Sequence, residues 1–105
     1  MSVSIQANVP ERFKQRAEIA LPGRVAKVVL FGSRARGDDR ADSDWDVAVF
    51  LKGTATADDL CQLADAAYDL IVESGQFIQP LALSIDQAEE DTLLMRRIRE
   101  EGVPL

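Results

Sequence analysis

The sequence predicts an α/β domain (α+β or mixed α/β) in which a small sheet is covered by helices, in the order α-β-β-α-β-α. Three observations carry that expectation. Two β-branched apolar runs, VAKVVLF at 25–31 and DWDVAVFL at 44–51, lie close together. A stretch at 56–75 repeats apolar residues at helical spacing, and a third apolar run, QFIQPLALSI at 76–85, follows it and leads into a last helical segment. No repeat, linker or low-complexity tract interrupts the chain, so residues 1–105 are expected to form one domain.

Taken in order, Asn8 and Pro10 look like a helix start, an N-capping side chain followed by a proline in the first turn, where no N–H is required. Val9, Phe13, Ala17 and Ala20 then recur at helical spacing until Pro22-Gly23 ends the segment. The run at 25–31 is apolar on both faces except at Lys27, as a buried strand is. The second strand runs from Asp44 to Leu51 and closes at Gly53-Thr54; Trp45 alternates away from the acids beside it and is expected in the core. In the long helix, Leu60, Leu63, Ala64, Ala67 and Ile71 form the apolar stripe, with Asp58, Asp59, Asp65 and Asp69 around it, Cys61 as a small core residue and Gly75 as the C-terminal cap. Pro80 places the third strand at a sheet edge or an irregular position. Ser84 with Gln87, or Asp86 with Glu89, offers a capping box for a last helix ending near Gly102.

Eighteen acidic residues against 12 basic ones give a net charge of −6, which argues against general nucleic-acid binding but leaves room for a local pocket for one nucleotide. The basic residues gather in two places, Arg34, Arg36 and Arg40, and then Arg96, Arg97 and Arg99, the second group expected as a solvated face. Cys61 is alone, so no disulfide framework or cysteine metal cluster is available. No apolar run reaches the roughly 20 residues of a membrane span, and the first residues do not read as a signal peptide; a cytoplasmic location is the expectation. The absence of histidine removes Ser-His-Asp triads, HExxH zinc sites and histidine general bases together.

The chemistry concentrates in FGSRARGDDRADSDWDV at 31–47. Asp44 and Asp46 are two apart on a strand and point to one face, where two carboxylates repel unless a cation sits between them. Mg²⁺ suits such a pair, because it takes one or two carboxylates plus substrate phosphates. Upstream, Gly32-Ser33 follows the first strand directly; glycine lets the backbone approach a phosphate, and the Ser33 hydroxyl adds a donor. A Gly-Ser pair followed at this spacing by Asp-x-Asp arises by chance on the order of once per thousand chains of this length. Gly32-x4-Gly37 is not a P-loop, since Asp38-Asp39 stands in place of Lys-Ser/Thr.

GSRARGDDRADSDWDV resembles the GSxARG…SDxD signature of the minimal nucleotidyltransferases, small members of the DNA polymerase β-like superfamily, and the ending RRIREEGVPL is similar to that family's C-terminal helix and tail. The resemblance implies a mixed-sheet nucleotidyltransferase fold, ATP as donor and two Mg²⁺ ions. Gly32 and Ser33 would then contact the donor phosphates, and Asp44 and Asp46 would bind metal and carry catalysis. Apart from the resemblance, Arg36 is placed either to steady a phosphate or to pair with Asp42 or Asp44. The resemblance also implies a HEPN-domain toxin as partner, since many of the family are antitoxins encoded beside such proteins and some of them adenylylate a tyrosine on the toxin. The oligomeric state is left open, a homo-oligomer included. The family's third acid belongs on the strand at 77–85, which contains no Asp or Glu; Gln79 or a neighbour stands there, with Glu73 and Asp86 beyond its two ends. Two readings follow, an adenylyltransferase acting on its partner protein and an antitoxin that works by complex formation alone. A transferase acting on a small molecule is the third, disfavoured by the little material available for a closed acceptor pocket.

Overall fold

The computed structural model describes residues 5–37 and 43–105, with the side chains of the first helix described from Val9 onward. Arg40 and Asp42 of the polar stretch lie outside the described residues, as does the side chain of Asn8. Among the described residues nine elements follow one another: α1 (Ile5–Ala20), β1 (Val25–Phe31), the four-residue turn α2 (Ser33–Arg36), β2 (Trp45–Leu51), α3 (Ala57–Ser74), β3 (Ile78–Ser84), a 3₁₀ turn (Ile85–Gln87), α4 (Leu93–Glu101) and the short β4 (Val103–Pro104). The six expected elements are all present in the expected order.

The sheet is mixed, in the order β3-β2-β1-β4. β1 and β2 pair antiparallel, with Phe31 opposite Asp46, and β4 adds antiparallel to the other side of β1. β2 and β3 pair parallel, as a strand-helix-strand crossover requires, with Asp46 opposite Gln79. β3 is therefore an edge strand, and that is why it can carry Pro80, which has no N–H to give a second neighbour.

β2 is buried on both faces. Val47, Val49 and Leu51 pack with Val28 and Leu30 beneath α1 (Val9, Phe13, Ala17) and α3 (Leu63, Ala67, Leu70). Ala48 and Phe50 face the other way and, with Val29, meet Ala88, Met95 and Ile98. Fully burying a side chain such as Phe13 or Phe50 contributes about 1.5–3 kcal/mol, so these two layers hold the sheet firmly at both faces. Trp45 is buried in the first layer, as its alternation predicts.

Five local expectations need correction. α1 begins at Ile5, so Asn8 lies within the helix rather than capping it; the fixed φ of Pro10 is helical, and the helix gives up one N–H near its first turns. On α3, Leu60 and Ala64 are exposed and Cys61 faces solvent, while Asp59 is only 4% exposed. Asp59 is inside because it completes a capping box with Thr56 and accepts two hydrogen bonds from the Arg24 guanidinium at 3.0 and 3.2 Å. The Ser84/Gln87 box exists, but it caps the 3₁₀ turn; α4 starts later, with Thr92 as its cap.

Candidate active site

The open end of the β1-β2-β3 sheet gathers the residues that the sequence singled out. β1 ends at Phe31, opposite Asp46, and the chain turns at Gly32 into α2. Gly32 has φ 79° and ψ −160°, a conformation that is essentially glycine's alone. It also lies directly against one of the acids, since a Cβ built there would collide with Asp46 Oδ2. The same glycine thus turns the chain and leaves space for a carboxylate. In α2, the N–H groups of Ala35 and Arg36 return to the Gly32 carbonyl and that of Gly37 to Ser33, so the Ser33 N–H lies outside the turn's own ladder.

Asp44 precedes β2 and Asp46 is its second residue, with Trp45 between them turned into the core. Asp46 is half-buried, and its carboxyl is pushed above the usual carboxylate range by burial and by the nearby charge of Asp44, against an opposing pull from Arg36. Burial and a neighbouring like charge both disfavour the Asp46 carboxylate, and a divalent cation bound there would offset both. Among the described residues no group of three or more His, Cys, Asp or Glu side chains could hold a metal. Two carboxylates with the remaining positions left to water and phosphate is the donor set that suits Mg²⁺.

The sequence leaves open which residue of the 77–85 strand neighbours the acids, and the β2-β3 register places one of them there. Gln79 stands directly beside Asp46 on β3 and points to the same face. Glu73 does not substitute, because it accepts hydrogen bonds from Arg12 at 2.8 Å and Arg16 at 2.5 Å on α1. Asp86 sits in the 3₁₀ turn, past the far end of β3.

Two arginines of α2 have distinct jobs. Arg34 donates to the Ser43 carbonyl at 2.9 and 3.2 Å and to Gln76 Oε1 at 3.2 Å, and its guanidinium lies 4.3 Å from the centre of the Trp45 ring. It is not a solvated side chain; it ties α2 to the residues that lead into the acids. Arg36 instead reaches α4, donating to Glu101 Oε2 at 3.1 Å. A cleft of about 780 Å³ lies among these elements, lined by Gly32, Ser33, Arg36, Asp46 and Gln79, with Arg97 and Glu101 from α4 and Leu60 and Ala64 from α3. That volume lies within the range of about 300–1,000 Å³ typical of small-molecule sites. Sequence reasoning missed Arg97 and Glu101; the one available signal was their four-residue spacing, which puts both on one helical face.

The sequence pattern of the family described as Polymerase beta, Nucleotidyltransferase matches residues 13–105. The chain belongs to this family. No curated protein matches the chain significantly in sequence. Among solved structures, it is similar to a chain of a toxin–antitoxin complex with AMP-PNP, at 19% identity and a TM-score of 0.68, over 90% of this chain and 70% of that one. It is similar to a chain of the Shewanella oneidensis complex of a tri-AMPylated HEPN toxin with its MNT antitoxin, at 19% identity and a TM-score of 0.62, over 95% and 70%. A protein classed as a minimal nucleotidyltransferase matches at 25% identity and a TM-score of 0.56, over 98% and 97%. The polymerase β-like nucleotidyltransferase fold is therefore that of this chain. No helix among the described residues is long and apolar enough to cross a membrane.

Proposed function

We propose that this chain is a Mg²⁺-dependent nucleotidyltransferase-fold antitoxin that transfers AMP from ATP to a hydroxyl of a HEPN-domain partner. The observation that carries the reading is the seating of Gly32 against Asp46, with Asp44 two residues ahead and Ser33 and Arg36 on the same cleft. Ser33 would donate its hydroxyl, and the start of α2 its N–H groups, to the donor phosphates. Arg36 would add positive charge beside them. Asp44 and Asp46 would hold Mg²⁺, which when bound neutralises charge on the phosphate chain. The family membership and the complexes of related fold support the same assignment.

Transfer forms a bond from the acceptor oxygen to the α-phosphorus and breaks the bond to the leaving pyrophosphate. The acceptor's proton must leave as this happens. Gln79 beside Asp46 cannot take it, since a neutral amide has no basic site at neutral pH. That observation favours a second reading, an antitoxin that binds its partner and transfers AMP slowly or not at all.

The two readings separate with labelled ATP, Mg²⁺ and the HEPN partner. The enzyme reading expects label on the partner, reduced by about a hundredfold or more in Asp44→Asn and in Asp46→Asn, the scale of losing a principal charge-stabilising group. It also expects faster transfer in Gln79→Asp. A tight complex without label, unchanged in all three variants, would overturn it and leave the binding reading.

A further inference from the structure

We propose that Arg97 of α4 is a second phosphate-binding cation of this cleft, acting on the phosphates beyond the first. The inference rests on the nucleotide-binding reading above. Leu94, Arg97 and Glu101 fall three and four residues apart, on one face of α4, and all three line the same cleft as Ser33 and Arg36. Arg96 and Arg99 turn elsewhere: Arg96 is bound to Asp91 at 2.6 Å, and Arg99 donates to the carbonyls of Ala88 and Glu90 at 2.7 and 3.0 Å. Arg97 makes no ion pair or hydrogen bond among the described residues, and it is exposed at the cleft.

Charge balance gives that arginine work to do. A triphosphate brings several negative charges, and Asp44 and Asp46 offset the charge of any cation they hold. Arg36 is already shared with Glu101. Among the described lining residues Arg36 and Arg97 are the two cations, and of these two Arg97 is the one whose guanidinium is not committed to a described carboxylate. α4 can present it firmly. Met95 and Ile98 bury the helix's adjoining face against the sheet, and Gly102 lets the chain turn straight into β4, beside β1.

The test compares Mg-ATP and AMP binding, by calorimetry, in the unaltered chain, Arg97→Ala, Arg97→Lys and the control Arg96→Ala, with thermal melts of each. The expected result is a loss of about tenfold in Mg-ATP affinity for Arg97→Ala, about 1.4 kcal/mol, with AMP affinity changed less than twofold. Arg97→Lys falls between, keeping charge and losing the fork, and Arg96→Ala binds normally. Equal loss for ATP and AMP, or no loss for either, would overturn the proposal while the unaltered chain still binds Mg-ATP. If the unaltered chain binds no Mg-ATP at all, the functional reading itself has failed, and this one with it.

Discussion

Gly32 bears two constraints that are separable by experiment. Its φ of 79° disfavours any side chain, and a Cβ would strike Asp46 Oδ2; Gly37, five residues on, has φ 82° and open space around it. Gly37→Ala is expected to lose about 1–2 kcal/mol to left-handed strain alone and to keep nucleotide binding. Gly32→Ala should lose more in stability and also displace Asp46, abolishing Mg-dependent ATP binding. Melting curves and calorimetry on the two variants check this, and equal behaviour of the pair would contradict the role given to Gly32. At this scale the sequence was informative where the chemistry is local. Gly32, Ser33, Asp44 and Asp46 are legible because a short segment holds both halves of the pattern. Glu101 was not, because its relation to Arg36 spans 65 residues and exists only once α4 has packed.

Among elements, α3 shows how far periodicity reaches. Leu63 and Ala67 follow the stripe into the core, but Leu60 and Ala64 on the same stripe border the cleft, and Leu60 is 43% exposed. A repeat of apolar residues reports a helical face; it does not report whether a neighbour fills the space opposite. Asp59 misleads in the other direction, since its partner Arg24 lies before β1. The Asp59 carboxyl is held below its ordinary value, first by the Arg24 hydrogen bond and then by the Thr56 N–H. A lowered value means that the folded state favours the charged form. The stabilisation is present above the ordinary carboxylate range and is lost as pH falls through the folded-state value. Asp59→Asn should therefore lower the melting temperature at neutral pH, with the gap to the unaltered chain closing as pH falls below about 4. A gap that stays constant down to acid pH would show that the Arg24 bond is not its source.

For the whole molecule, the mixed sheet joins pieces of the site that the chain keeps apart. The antiparallel β1-β2 pairing sets Gly32 against Asp46, the parallel β2-β3 pairing sets Gln79 beside it, and β4 holds α4 near the same end. The fold class and the order of the main elements were legible from apolar runs and their lengths. The pairing register was not, and so the place of Gln79 could be narrowed only to a strand. Register depends on which side chains share a buried face across two strands, and that is settled only when both faces are covered. The measurement that bears most directly on the account is the affinity for ATP with and without Mg²⁺, in the unaltered chain and in Asp46→Asn. Binding that needs Mg²⁺ and is lost in Asp46→Asn is the predicted result; binding that is indifferent to both the metal and the substitution would contradict a phosphate and metal site at Gly32, Asp44 and Asp46.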